Sequence, residues 1–231
     1  MRTRACRSIR LTGAAALHLT AALLLAGALL TPAPALGTDF CRFLDRFPAT
    51  GQETCWDSAG TEITCAGTGQ DGDVQAGGTL RYKDLGNGTI LDRNTLLIWE
   101  KKSDDGSIHD KDTQYDWDQA FAVHVADLNT ANFAGRHDWR LPNVKELQSI
   151  VDYETFNPAV DPAFNNGDCA GGTCTVLTCS CTGTASSYWS SSTKASFPPD
   201  AWNVGFNFGS VNASDKDDFD FVRAVRGGCV D

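Results

Sequence analysis

The chain of 231 residues is acidic, with 29 Asp and Glu against 19 Lys and Arg and a formal net charge of −10. That length gives room for one medium domain and one small extra unit. The charge argues against a nucleic-acid partner and against a general affinity for anionic membranes or polyanions.

The first residues read as a leader. Arg2, Arg4, Arg7 and Arg10 make a basic start, Leu11 to Leu30 is an apolar run, and Ala33-Pro34-Ala35 and Ala35-Leu36-Gly37 offer small residues for cleavage. The pattern predicts a secretory signal peptide over residues 1–37, with a retained membrane anchor as the alternative. Its removal leaves 15 basic residues (19 − 4) against 29 acidic ones, a net of −14. No later segment is long and apolar enough to span a bilayer, so the expected location is secreted, periplasmic or at the cell surface.

Cys6 belongs to the leader, which leaves Cys41, Cys55, Cys65, Cys169, Cys174, Cys179, Cys181 and Cys229 of the nine cysteines. An even set in an exported chain means disulfides first. Sequence alone does not choose the pairing. Cys55 and Cys65 flank a short turn and make a plausible local pair.

Residues 38–54 form an N-terminal arm in which Phe40, Phe43, Leu44 and Phe47 could dock on a neighbour. The main domain is expected over residues 55–231. It begins turn-rich. In Gly67-Thr68-Gly69-Gln70-Asp71-Gly72-Asp73, the acids Asp71 and Asp73 suggest a calcium loop, but the run lacks the terminal Glu of an EF-hand, and an ordinary ordered loop is the competing reading. Leu80 to Lys83, the Gly86-Asn87-Gly88 turn and Thr89 to Asp92 predict a hairpin, and Leu96 to Trp99 a buried strand. Residues 101–114 are polar and read as an exposed loop.

Asp116 with Gln119 three residues on predicts a helix start, with Trp117, Ala120, Phe121, His124, Val125 and Leu128 on one face. His124 reads as a packed histidine without a partner nearby in sequence. The densest run follows, from His137 to Tyr153. Pro142 biases Leu141 toward an extended conformation. Asn143 and Glu146 make a capping box, and Val144, Leu147, Ile150 and Val151 fall at helical spacing. Trp139, Leu141, Leu147 and Ile150 are expected to join this second helix to a sheet, with Arg140 and Glu146 as a polar frame.

Residues 165–186 are a Cys-rich insertion without the paired C-x-x-C of a zinc knuckle, so disulfide staples are preferred to metal. The end of the chain is strand-like. Ser187 to Ser192 comes first, then Trp202, Val204, Phe206 and Phe208 alternating with polar and small residues, then Phe219 to Val225. Arg223 and Arg226 suggest salt bridges to the acidic loops.

Three features stand together: Asp138-Trp139-Arg140-Leu141-Pro142 leading to Glu146-Leu147, Tyr188-Trp189-Ser190-Ser191-Ser192, and Phe221-Val222-Arg223-Ala224-Val225-Arg226-Gly227-Gly228. In that order they resemble the bacterial family of domains at the C-terminus of the Legionella collagen-like adhesin, the Lcl C-terminal domain. The segment from Thr54-Cys55 to Asp73 looks like the leader common before it. The resemblance covers roughly residues 50–228 and is specific for the family rather than for a function. It implies an α+β, C-type lectin-like fold with two helices, a small, twisted, mostly antiparallel sheet and long loops. Of the sugar-binding motifs of calcium-dependent lectins with this fold, only part of the strand motif is present, at Trp202-Asn203-Val204.

The expected function is a non-enzymatic binding or adhesion module for a glycan or protein ligand, since loops on a rigid scaffold carry binding. The candidate surface holds Trp189, Trp202, Asn203, Asn207 and Asn212, although alternation also places Trp202 with the core residues Val204 and Phe206. A structural or assembly role in the cell envelope or a fibre, with homo-oligomers, is the alternative. A formylglycine-generating type of enzyme would need a reactive cysteine pair, for which only Cys179 and Cys181 lie close in sequence. No Ser-His-Asp or paired-carboxylate constellation stands out, and no cofactor is expected beyond calcium.

Overall fold

The computed structural model describes residues 47–166, 169 and 173–227. The leader, most of the N-terminal arm with Cys41, and Cys229 lie outside the described residues. Strands β1 (Cys55–Trp56) and β2 (Glu62–Ile63) pair as a small hairpin, closed by the Cys55–Cys65 disulfide. A single helical turn, α1 (Asp71–Val74), follows. Strands β3 (Tyr82–Asp84), β4 (Thr89–Asp92) and β5 (Ile98–Glu100) are antiparallel neighbours, as the glycine turn and the apolar run predict.

After β6 (Gln114–Tyr115), Asp116 caps α2 (Trp117–Gln119) by accepting from Gln119 N. The helix then widens into a π-helical segment (Ala120–Val125) and narrows again into α3 (Ala126–Thr130). Such widening is rare and is frequent at functional sites. Asn143 caps α4 (Val144–Gln148) with the complete capping box: its side chain accepts from Lys145 N and Glu146 N while Glu146 reaches back to Asn143 N. The remaining strands are β7 (Tyr188–Thr193), β8 (Asp200–Gly205), β9 (Ser210–Asp215), β10 (Asp220–Phe221) and β11 (Val225–Arg226).

These few short helices and mainly antiparallel strands make an α+β arrangement. Where one small sheet was expected, two larger ones stand beside the β1–β2 hairpin, ordered β6-β10-β7-β8-β9 and β11-β5-β4-β3. The cause lies in the last strand-like stretch. It breaks at Val222 to Ala224, so β10 joins the first sheet and β11 the second. The main core fills the space between the sheets. Ile90, Leu97, Trp99 and Val225 meet Tyr188, Val204, Phe206 and Phe221, with Leu147 and Ile150 of α4 and Phe164 among them. Fully burying each large apolar side chain contributes about 1.5–3 kcal/mol.

A second core holds Tyr115, Ala120, Leu141, Trp189, Ala201 and Val222. Tyr188 and Trp189 are adjacent, point to opposite faces of β7 and so feed different cores. Trp139 packs with Leu128 and Ala224 in a third. The Trp139–Leu141 entry therefore does join the helices to the sheets, and Arg140 pairs with Val225 of β11 through bonds in both directions (2.9 Å each).

Candidate functional site

The first cluster of charge is internal. Residues 101–114 were expected to be exposed, yet Lys101, Lys102, Ser103 and Asp110 are buried. Two carboxylates draw the lysines inward: Lys101 Nζ bonds Asp84 Oδ2 on β3 (2.8 Å), and Lys102 turns to Glu100 at the end of β5, which is fully buried and gathers donors from three other segments. Its Oε1 meets His109 Nδ1 (2.7 Å) and Lys102 Nζ (3.4 Å); its Oε2 meets His124 Nε2 (2.9 Å) and accepts from Ala224 N (2.8 Å). The π-helical segment brings His124 to this carboxylate, and sequence gave no hint of the partner.

Burial opposes the charge of Glu100, but His124, Lys102 and the hydrogen bond from His109 outweigh it and hold the carboxyl well below the usual range. Burial pushes His124 down, against the pull of Glu100. The neutral imidazole donating through Nε2 is the form that fits, because Nδ1 is buried without a partner. Burial also lowers Lys102. Arg223, expected to meet an acid, instead donates to the carbonyls of Glu100 (3.1 Å) and Cys181 (2.6 Å) and lies 5.2 Å from the Phe164 ring centre. Arg226 does meet an acid, bonding both oxygens of Asp138 (2.8 and 2.9 Å).

A cleft of about 460 Å³ is lined by Phe121, Val125, Arg140, Leu141, Asn143, Glu146 and Ser191. Its charged groups already satisfy one another. Arg140 Nη1 and Nη2 bond Glu146 Oε2 and Oε1 at 2.8 and 2.7 Å, and Glu146 Oε2 also closes the capping box. Arg140 and Glu146 are the polar frame that the motif predicts.

The residues proposed for ligand contact divide. Trp189 and Asn203 are interior, which corrects their expected surface placement. Trp189 sits between sheet and helix and donates Nε1–H to Tyr115 O (2.8 Å); Asn203 Nδ2 donates to Ser214 Oγ and Asp220 Oδ2 (2.8 Å each). Both lie on the same face of the five-stranded sheet, which the second core covers. Trp202 is half-buried opposite Ala213. Asn212 is exposed on β9, with Nδ2 on Ser210 Oγ (2.9 Å), and Asn207 occupies the β8–β9 turn.

That turn carries a feature missed from sequence. Tyr153, Phe156 and Phe208 are exposed by 38, 74 and 68 %. They come from two loops stitched together: Asn157 N donates to Asn207 O (2.8 Å), Ala159 N to Phe206 O (2.6 Å) and Tyr153 Oη to Gly209 O (3.1 Å). Gly209 has φ +74°, and a Cβ there would lie 2.5 Å from Val151 Cγ1, so only glycine fits this approach. The same loop grips the end of the N-terminal arm: Glu154 accepts from Glu53 N, Thr54 N and Thr54 Oγ. Burial raises Asp152, and Asp161, Glu154 and Glu53 add to the rise, so the flank of the tip is acidic. The breaks in alternation, Asn157-Pro158 after Phe156 and Asn207-Phe208-Gly209 after Phe206, were the available signals.

The calcium residues do not converge. Asp71 accepts from Thr50 Oγ, while Asp73 accepts from Gly67 N and Gly69 N (3.0 and 3.1 Å), which makes the segment a self-braced loop. Acidic oxygens do gather at Asp104, Asp110 and Asp112, where Lys111 Nζ lies 3.5 Å from Asp104 and 2.5 Å from Asp112. The described cysteines pair as Cys55–Cys65, Cys169–Cys181 and Cys174–Cys179. Cys179 and Cys181 thus belong to different bridges. No helix among the described residues is long and apolar enough to cross a membrane.

Residues 88–226 match the family model described as the Lcl C-terminal domain. The match omits the segment from Cys55 to Asp73, which the resemblance had joined to it. A comparison with curated proteins found no match.

Proposed function

We propose that this chain, which belongs to the Lcl C-terminal domain family, is an exported, non-enzymatic binding or adhesion module on a C-type lectin-like scaffold. Its ligand is a glycan or a protein surface, taken at the β8–β9 tip. The observation that carries this reading is the group of exposed rings at Tyr153, Phe156 and Phe208, fixed by backbone bonds between two loops. Aromatic rings held without rotamer-rich linkers lose little entropy on contact, and amides beside them orient a polar ligand. Asn207 supplies such an amide.

Three disulfides and the leader-like start support an extracellular setting. Calcium is no part of the tip in this reading. A screen of glycans and of cell-surface proteins tests it, with and without calcium, using the chain and its Phe208→Ala variant. The expected outcome is a ligand whose affinity falls about tenfold or more in the variant, as for a hot-spot aromatic, and does not change on chelation. A ligand bound equally by the variant contradicts the tip assignment.

A further inference from the structure

Strand β9 is the longest strand at a sheet edge among the described residues. It closes one end of the five-stranded sheet, and no strand pairs with its outer edge among the described residues. It pairs with β8 over six consecutive positions, from Gly205↔Ser210 to Asp200↔Asp215, without a bulge. The phase of that ladder is fixed by the bond from Lys216 N to Pro199 O (3.0 Å). In an antiparallel ladder, bonded and non-bonded pairs alternate. Ser210, Asn212 and Ser214 therefore turn their backbone groups toward β8, and Val211, Ala213 and Asp215 turn theirs outward, the Asp215 carbonyl accepting from Asp218 N (3.0 Å) within its own turn.

Edges of this length are normally protected by Lys, Pro, a bulge or shortness. The other edges fit that rule: β6 and β11 have two residues each, and β3 has three with Lys83 among them. Ser210-Val211-Asn212-Ala213-Ser214-Asp215 has no proline, and its one charged residue, Asp215, stands at its last position.

We propose that the outer edge of β9 pairs antiparallel with β9 of a second copy, about a twofold axis at Ala213. Two such strands share faces only if residues of matching phase oppose one another. With the axis at Ala213, the outward backbone groups of Ala213 meet those of Ala213 in the second copy, and the Val211 carbonyl meets the Asp215 N–H. A small residue sits at the crowded axis. On one face Asn212 lies across from Ser214, an amide–hydroxyl pair of the kind that stabilises a ladder. On the other, Trp202 beside Ala213 extends an apolar row toward the seam. Charge also fits. Asp200, Asp215, Asp217 and Asp218 gather at one end of the hairpin. Antiparallel pairing sets that end beside the uncharged Asn207-Phe208-Gly209 tip of the second copy rather than beside its acids.

The test is sedimentation analysis of the chain purified as exported, over a range of micromolar concentrations, with two variants. Ala213→Pro removes an outward N–H and no bond to β8, a placement that proline tolerates. Ala213→Cys puts two thiols across the axis, at a Cα separation of about 5.5 Å that suits a disulfide. The expected results are a dimer for the parent, a monomer with unchanged circular dichroism for Ala213→Pro, and a covalent dimer on oxidation for Ala213→Cys. A monomeric parent, a proline variant that stays dimeric, or a parental dimer whose cysteine variant fails to cross-link would each overturn the proposal. If the proline variant unfolds, the cross-link alone decides.

Discussion

Around Glu100 the polar groups face inward and satisfy one another, while at the β8–β9 tip aromatic rings face outward from two loops joined by backbone bonds. Both regions join segments distant in sequence. The hub joins β5, the following loop, the π-helical segment and the residues before β11; the tip joins the loop after α4 to the β8–β9 turn. The difference lies in what is left over. At the hub only isolated atoms such as His124 Nδ1 lack partners, and they are buried. At the tip whole ring faces are left for a ligand. A buried charge fixed by several segments specifies the fold, whereas exposed rings add little to it.

The hub depends most on Glu100. Glu100→Gln leaves Lys102 buried without its anion and is expected to destabilise the protein by about 3–5 kcal/mol in chemical denaturation. A loss below about 1 kcal/mol would mean that the hub is not what holds these segments together. A smaller effect is expected at the tip's hinge. Gly209→Ala puts a Cβ against Val151 at a positive φ, costing about 1–3 kcal/mol and displacing Phe208, so stability and ligand affinity fall together. Asn143→Ala removes the α4 cap for about 1 kcal/mol and leaves ligand affinity unchanged, because the cap lies at neither region.

Acid acts on the hub through His124 and Glu100. His124 and Glu100 both have folded-state pKa values below their unfolded ones. Their contributions are present above the unfolded values and are withdrawn as pH falls. The melting temperature should hold above pH 6.5, decline below it as unfolded chains take up the proton that buried His124 refuses, and decline further below 4.5. In Glu100→Gln the step below 4.5 should shrink. A parental melting temperature flat from neutral pH to 4.5 would show that His124 is not held neutral.

The sequence was legible where a short-range rule governs. Asn143 with Glu146, Asp116 with Gln119, the Gly86-Asn87-Gly88 hairpin and the Cys55–Cys65 bridge each involve residues close in the chain. The hub was illegible because Glu100, His109, His124 and Ala224 meet only in space, and hydrophobic periodicity carries no mark of a buried carboxylate. For the same reason Lys102 read as surface, as did Lys101, whose ammonium meets Asp84 on β3. Trp189 and Asn203 were misplaced because alternation predicts one solvated face, whereas this sheet packs on both. Trp202, at half burial, lies between its two readings. The tip was missed because exposed Phe156 and Phe208 look like core residues to any rule that counts apolar side chains.

The division of labour between hub and tip is tested most directly by one double variant, Phe156→Ala with Phe208→Ala, measured for both ligand affinity and thermal melting. The expected result is lost affinity with stability within about 0.5 kcal/mol per site of the parent, as for surface substitutions. Retained affinity, or a loss of stability comparable to that of Glu100→Gln, would contradict it.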